Sequence, residues 1–224
     1  MRGKITEVFE SVQGEGIYFG EKQLFVRFFG CNLSCSFCDT KLDSFKEYEP
    51  QELFEEIKLF HDDYHAVSFT GGEPLLQKDF LKEILYRTCC CGHKNYLETN
   101  GTLARELEEV IDYVDIVAMD LKLPSSTGHD KHFWDEHRDF LKIASRKQVF
   151  LKSVVCENTS IDDISESIRL IKECDRSAVL VLQPNSLESH AALINKLNDF
   201  KDFCQREQVT TCIIPQMHKV IGVK

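Results

Sequence analysis

The 224-residue chain sets 27 Lys+Arg against 37 Asp+Glu, a formal charge of −10, with 42% hydrophobic and 29% charged residues. That is enough apolar material for a sizeable core, which excludes disorder as the overall state. The acidic balance, with no run of Lys and Arg, excludes a broad nucleic-acid face and points to a small-molecule substrate. In chain order, β-branched and aromatic content marks Gln23–Phe29 as a strand. Pro50–Phe60 follows as a helix with Leu53, Phe54 and Ile57 on one face, then Ala66–Phe69 as a strand. Asp79–Thr88 has helical spacing through Phe80, Leu81, Ile84 and Leu85; Asn95–Glu98, Asp115–Met119 and Gln148–Val155 read as strands. Ile161–Glu173 is helical through Ile164, Ile168 and Ile171, and Ala178–Leu182 and Val209–Ile214 close the series as strands. Alternating strands and helices give an α/β class with parallel strands. The chain is shorter than the ~250 residues of a full eight-unit barrel, so an incomplete (β/α) barrel with about six core strands in one domain is expected. The polar stretch Pro124–Arg138 reads as an exposed insertion.

No stretch approaches the ~18 apolar residues of a membrane span, and the opening MRGKITEVFESVQGEG has no apolar signal core. A soluble, cytoplasmic chain without membrane or nucleic-acid partners is expected. Its ten cysteines then read as reduced thiols available for metal or redox chemistry.

The unusual residues sit where strands end. GCNLSCSFCDT follows Gln23–Phe29, TGGEP follows Ala66–Phe69, TNG follows Asn95–Glu98, DLK closes Asp115–Met119 and QPN follows Ala178–Leu182. Carboxyl ends of parallel strands are where side chains converge on a ligand, so one site built from these loops is the economical reading. Cys31, Cys35 and Cys38 have the spacing C-x3-C-x2-C. A structural zinc site closes with four ligands and a dithiol redox site needs only C-x2-C, and neither explains Cys31. A [4Fe–4S] cluster held by three cysteines keeps one iron open to an external molecule. In Gly71-Gly72-Glu73-Pro74 the glycines allow close backbone approach to a ligand, and the carboxylate can hold an ammonium group.

The cysteine spacing and GGEP together resemble the radical S-adenosylmethionine superfamily. Within it the sequence is similar to the 7-carboxy-7-deazaguanine synthases. Ser11-Val12-Gln13-Gly14-Glu15-Gly16, Phe25-Val26-Arg27-Phe28, Cys38-Asp39-Thr40 and Met217-His218-Lys219 carry that likeness, with Phe37 where the family often has Trp. The resemblance implies a [4Fe–4S] cluster, S-adenosylmethionine and Mg2+ as cofactors, a flavodoxin-like or other reductant, and a homodimer. It also implies a lyase that takes a hydrogen atom from C6 of 6-carboxy-5,6,7,8-tetrahydropterin, contracts the ring, returns the hydrogen and releases ammonia, in queuosine or other deazapurine biosynthesis.

Residue roles follow from the same resemblance, the radical itself being carried by the cofactor. Val12, Gln13 and Gly14 would read the amide and amine edge of the pterin, Arg27 would fork onto its carboxylate, and Thr70 would touch it. Phe37, Cys38 and Asp39 would line the adenosyl group, and Gly72 would let S-adenosylmethionine approach. Asp120-Leu121-Lys122 and Gln183-Pro184-Asn185-Ser186 would contact S-adenosylmethionine from later loops; many relatives have Ser-Pro-Lys where this chain has Asp-Leu-Lys. Thr40 would bind Mg2+ that arrives with substrate. The α-carboxylate of Lys224 would accept hydrogen bonds from the pterin ring. Outside this set, Cys89-Cys90-Cys91 reads as an incidental helix-end cluster, and His129, His132 and His137 as solvated histidines. Cys156, Cys174, Cys204 and Cys212 read as small hydrophobes. A glycyl-radical-enzyme activase and a non-catalytic metal-binding scaffold are the rival readings.

Overall fold

The computed structural model describes residues 1–38, 40, 43–60, 63–128, 131–217, 219 and 222. Strand β1 (Gly3–Val12) runs antiparallel to β2 (Lys22–Phe28), and β3 (Lys46–Tyr48) pairs antiparallel with the outer edge of β1. From β2 onward every pairing is parallel. The strands are β4 (Ala66–Gly71), β5 (Asn95–Thr99), β6 (Ile116–Asp120), β7 (Gln148–Val155), β8 (Val179–Pro184) and β9 (Thr211–Ile213). The order is β3-β1-β2-β4-β5-β6-β7-β8-β9, an unclosed nine-stranded sheet. This is the expected incomplete barrel, with a short seventh strand added to the parallel run. All seven runs read from sequence form its parallel strands.

Helices α1 (Pro50–Ile57), α2 (Lys78–Cys90) and α3 (Ala104–Val110) cover the first units. The short α4 (Pro124–Thr127), then α5 (Trp134–Ala144), α6 (Ile161–Cys174) and α7 (His190–Arg206) cover the rest. Their starts follow from local chemistry. Pro50 occupies the first turn of α1 behind a reciprocal Glu49–Glu52 capping box, and Ser160 Oγ accepts from the backbone N–H of Asp163 at the start of α6. Among the described residues, no helix is long and apolar enough to cross a membrane.

The period-2 alternation of the strands divides the molecule. On β2, Leu24, Val26 and Phe28 join the main core between sheet and helices, whereas Phe25 and Arg27 turn into the barrel. On β7, Val149, Leu151 and Val155 pack outward against helices while Phe150, Lys152 and Val154 face inward. The inward floor is apolar: Ala66, Tyr96, Ile116, Ala118, Phe150 and Val181 pack together, with Tyr18 set against Tyr96 and Phe150 at ring separations of 5.8 and 6.3 Å. Charged residues occupy the level above this floor, nearer the carboxyl ends of the strands.

Pro124–Arg138 departs from the exposed insertion expected of it. Ser126, Thr127, Phe133 and His137 are buried, because this segment folds into α4 and the first turns of α5 beneath the strand ends. His132 is exposed as expected, and His129 lies outside the described residues. Cys89 and Cys90 end α2 and Cys91 caps it, all three exposed.

Candidate active site

A cavity of about 510 Å³ opens at the carboxyl ends of the strands. Its rim begins with the cysteine loop, which is held from two sides. Gly72 N–H donates to the Phe28 carbonyl at 3.1 Å and Glu73 N–H to the Gly30 carbonyl at 2.8 Å, zipping the end of β4 to the chain leading into Cys31. A Cβ on Gly72 would lie 2.0 Å from Gly30 O and 3.0 Å from Cys31 N. The glycine here therefore serves backbone packing under the cysteine loop. Gly72→Ala is expected to cost about 1–3 kcal/mol through displaced backbone and to lower the iron and sulfide bound after anaerobic reconstitution; full stoichiometric iron in this variant would contradict the packing role. On the other side, Ser36 donates its N–H to Thr127 O at 3.0 Å and its hydroxyl to Ser126 O at 3.2 Å. Helix α4 is in turn fixed by Asp163, which accepts from the backbone N–H of Ser125 at 2.9 Å and from its hydroxyl.

Glu73 is committed to hydrogen bonds within the protein. It is fully buried and accepts from Asn100 N–H at 2.7 Å, Leu75 N–H at 3.1 Å and Thr99 Oγ at 2.9 Å. Burial pushes its pKa up to about 7 against those hydrogen bonds. Its role is to tie the end of β4 to the end of β5.

Cys31, Cys35 and Cys38 all border the cavity. Burial raises the pKa of the Cys35 thiol, Lys122 opposes that rise, and the neighbouring Cys31 and Cys38 add to it, so the sulfurs lie within one another's electrostatic reach. Leu33 N–H points at Cys31 Sγ at 3.4 Å. Among the described residues no three Cys, His, Asp or Glu converge at single-ion range. Three soft sulfurs spread around one loop fit a polynuclear iron–sulfur cluster better than a lone ion.

Deeper in the cavity, charged groups form an ordered chain. Asp120 pairs with Lys122 at 3.0 Å and with Lys152 at 3.2 Å; Lys152 also pairs with Glu15, which accepts from Gln216 Nε2 at 2.7 Å. Burial would raise the Asp120 pKa, but Lys122 and Lys152 together outweigh it and hold the carboxylate below its usual range. Lys122 is also placed through its backbone. Its N–H donates to His137 Nε2 at 3.0 Å, which leaves Nδ1 as the protonated nitrogen donating to Gly101 O at 3.0 Å. Burial drives the His137 pKa down to about 4, so the ring stays neutral and pins the β5 and β6 loops together. This corrects the reading of His137 as solvated.

The expected site residues gather here with few exceptions. Val12, Gln13, Gly14, Arg27, Phe37, Thr40, Thr70, Gly72, Asp120, Lys122, Gln183, Pro184, Asn185 and Ser186 all line the cavity with the cysteines. Leu121 does not: it is buried in the main core, and its N–H donates to Lys152 O at 2.8 Å. Asp39 and Lys224 lie outside the described residues. The Gln13 amide is already committed. Its Nε2 donates to Gln23 Oε1 at 3.0 Å and to Glu98 Oε1 at 2.8 Å, and its Oε1 accepts from Glu15 N–H at 3.0 Å. Glu98 is the group this arrangement presents, its second oxygen accepting from Thr70 Oγ at 2.6 Å. Two residues beyond β9 are also tied to the cavity rim: Met217 N–H donates to Gly14 O at 2.8 Å and Lys219 Nζ to Ser186 Oγ at 2.6 Å. Glu7, Glu98, Lys152 and Gln216 were missed from sequence; Lys152 and Glu98, like Arg27, are charges within apolar strands, and that signal was available.

Residues 25–177 match the model of the Radical SAM superfamily. The chain is 36% identical to the 7-carboxy-7-deazaguanine synthase of Geobacter sulfurreducens, covering 98% of this chain and 97% of that one. It is 35% identical to the synthase of the same name from Archaeoglobus fulgidus over the whole of both. Among solved structures, QueE from Escherichia coli superposes with a TM-score of 0.69 at 20% identity, covering 95% of this chain and 94% of its own, and so shares the fold. Matches that run the length of both partners leave no room for a non-catalytic scaffold: the chain belongs to the 7-carboxy-7-deazaguanine synthase family and is a radical SAM enzyme.

Proposed function

We propose that this enzyme converts 6-carboxy-5,6,7,8-tetrahydropterin to 7-carboxy-7-deazaguanine with loss of ammonia. The observation that carries the reading is a single cavity bordered by the three thiols of the cysteine loop and by the guanidinium of Arg27. Cys31, Cys35 and Cys38 would hold a [4Fe–4S] cluster, and Lys122, Phe37 and the 183–186 loop would face S-adenosylmethionine. When bound, the cluster and S-adenosylmethionine would supply radical chemistry primed by an electron from an external reductant, a hydrogen atom being taken from substrate and returned after ring contraction so that the conversion loses only ammonia. The chain's part is to place and shield. Arg27 would receive the substrate carboxylate, a planar fork meeting a planar acceptor. Glu98, already held by Gln13 and Thr70, has lone pairs left for the N–H donors of the pyrimidine edge. Thr40 lines the same cavity and would share Mg2+ with the substrate carboxylate and water.

Arg27→Lys keeps the charge and loses the fork. It is expected to weaken pterin binding by about 1–3 kcal/mol while iron content stays at the parent level, and to let 5′-deoxyadenosine form without matching product. Unchanged pterin affinity would remove Arg27 from the carboxylate. The reading as a whole is tested with substrate deuterated at C6. Deuterium recovered in the adenosyl group supports it, and pterin turnover without such transfer opposes it.

A further inference from the structure

Arg27 does not stand alone on its strand. Its Cα partner across the antiparallel pair is Glu7, and Phe9 is likewise opposite Phe25. All four side chains line the cavity. Glu7 Oε1 accepts from Arg27 Nε at 2.8 Å, both side chains being largely buried at 24% and 21% exposure. The Arg27 guanidinium carbon lies 5.5 Å from the centre of the Phe9 ring, and Phe9 stacks on Phe25 at 5.2 Å with an interplanar angle of 13°. One edge of the guanidinium is thus tied by a carboxylate and its central carbon lies over a ring that is itself stacked on Phe25. A guanidinium held in this way keeps the two terminal nitrogens as a preformed pair, which is what a bidentate carboxylate needs.

We infer that Glu7 is a positioning residue for substrate: through Nε, and with Phe9 beneath, it aims the terminal nitrogens of Arg27 at the pterin carboxylate. The inference rests on the carboxylate role proposed for Arg27. It makes a demand that charge alone does not. Glu7 is negative, so its field opposes the binding of another carboxylate; its benefit to binding comes from geometry, and the reach of its oxygen decides that geometry.

Two conservative variants separate reach from charge. E7D keeps the charge and withdraws the oxygen by one methylene, whereas E7Q keeps an acceptor at full reach and removes the charge. The affinity of cluster-loaded protein for 6-carboxy-5,6,7,8-tetrahydropterin, and for the same pterin lacking the carboxyl group, is measured by equilibrium binding under anaerobic conditions, with iron content and melting temperature as controls. Parent protein is expected to favour the carboxylated pterin. E7D should weaken its binding by about tenfold, equivalent to ~1.4 kcal/mol, and leave the decarboxylated pterin unchanged; E7Q should recover to within about threefold of the parent. In an Arg27→Lys background E7D should add no further loss, because Glu7 acts through Arg27. Normal binding in E7D, or a loss in E7Q that equals or exceeds that in E7D, overturns the inference while the Arg27 reading stands. Equal affinity of the parent for both pterins overturns the Arg27 reading and the inference with it.

Discussion

Cys35→Ala is expected to fold, to lose the iron–sulfur cluster, and to cleave no S-adenosylmethionine. Each of the three thiols of the loop borders the cavity, and Cys35 lies within electrostatic reach of the other two and of Lys122. Loss of one ligand from a three-cysteine set leaves a second iron open, and no described Cys, His, Asp or Glu forms an alternative three-ligand group. The fold does not depend on the thiol, since the loop is anchored by Gly72, Glu73 and Ser36 through backbone hydrogen bonds. The control is Cys89→Ala, at the exposed end of α2, which should keep its cluster. Iron and sulfide analysis, the visible spectrum and 5′-deoxyadenosine production read both proteins. Full iron and turnover in Cys35→Ala would mean the cluster is held elsewhere.

Lys152→Met should have the largest effect on stability. Lys152, its side chain 12% exposed to the cavity, projects from β7 and pairs with Glu15 from the loop after β1 and with Asp120 at the end of β6, so it links the strand end of β6 and β7 to the chain after β1. Burial would lower its pKa, but Asp120, Glu15 and Glu98 more than reverse this and hold the ammonium well above the ordinary lysine range. A raised lysine pKa contributes stability that is fully present below the unfolded value and lost only as pH climbs through the folded one, so the contribution holds throughout the neutral range. Removing the cation leaves Glu15 without it and leaves Asp120 with Lys122 alone, a loss of about 3–5 kcal/mol. Glu15→Gln in the same chain should return part of it by removing one unpaired charge. Urea unfolding of cluster-free protein between about pH 6 and 9 checks this. A midpoint within error of the parent would show that the charge chain does not hold β6 and β7 to the chain after β1.

What sequence reading recovers here, and what it misses, divides by range. The parallel strands were legible because each is an apolar run bounded by turn residues. β1 was not, because as a half-exposed strand paired antiparallel with both β2 and β3 it mixes Lys4, Glu7 and Glu10 with its apolar positions. Arg27 comes from the family resemblance; that it is also a charge in an apolar strand is a local signal, and Lys152 and Glu98 share it. Gln13 was correctly placed at the cavity, yet the use of its amide was hidden, since Gln23 and Glu98 come from other strands. His137 read as solvated because its neighbours in sequence are polar, although Phe140 and Leu141, three and four residues on, put it on the buried face of α5. Gly72 lies on the cavity as its motif implies, yet the partners that fix it and Glu73 in place, Phe28, Gly30 and Thr99, come from other parts of the chain, and local sequence says nothing of them.

The most direct measurement is the product itself. Reconstituted, reduced enzyme is incubated anaerobically with S-adenosylmethionine, Mg2+ and 6-carboxy-5,6,7,8-tetrahydropterin, and the pterin-derived compound is identified by mass with ammonia measured in parallel. The expected result is 7-carboxy-7-deazaguanine with one ammonia released per product formed. Intact pterin recovered alongside abundant 5′-deoxyadenosine would contradict it, because the cluster would then be competent and the cavity would belong to a different substrate.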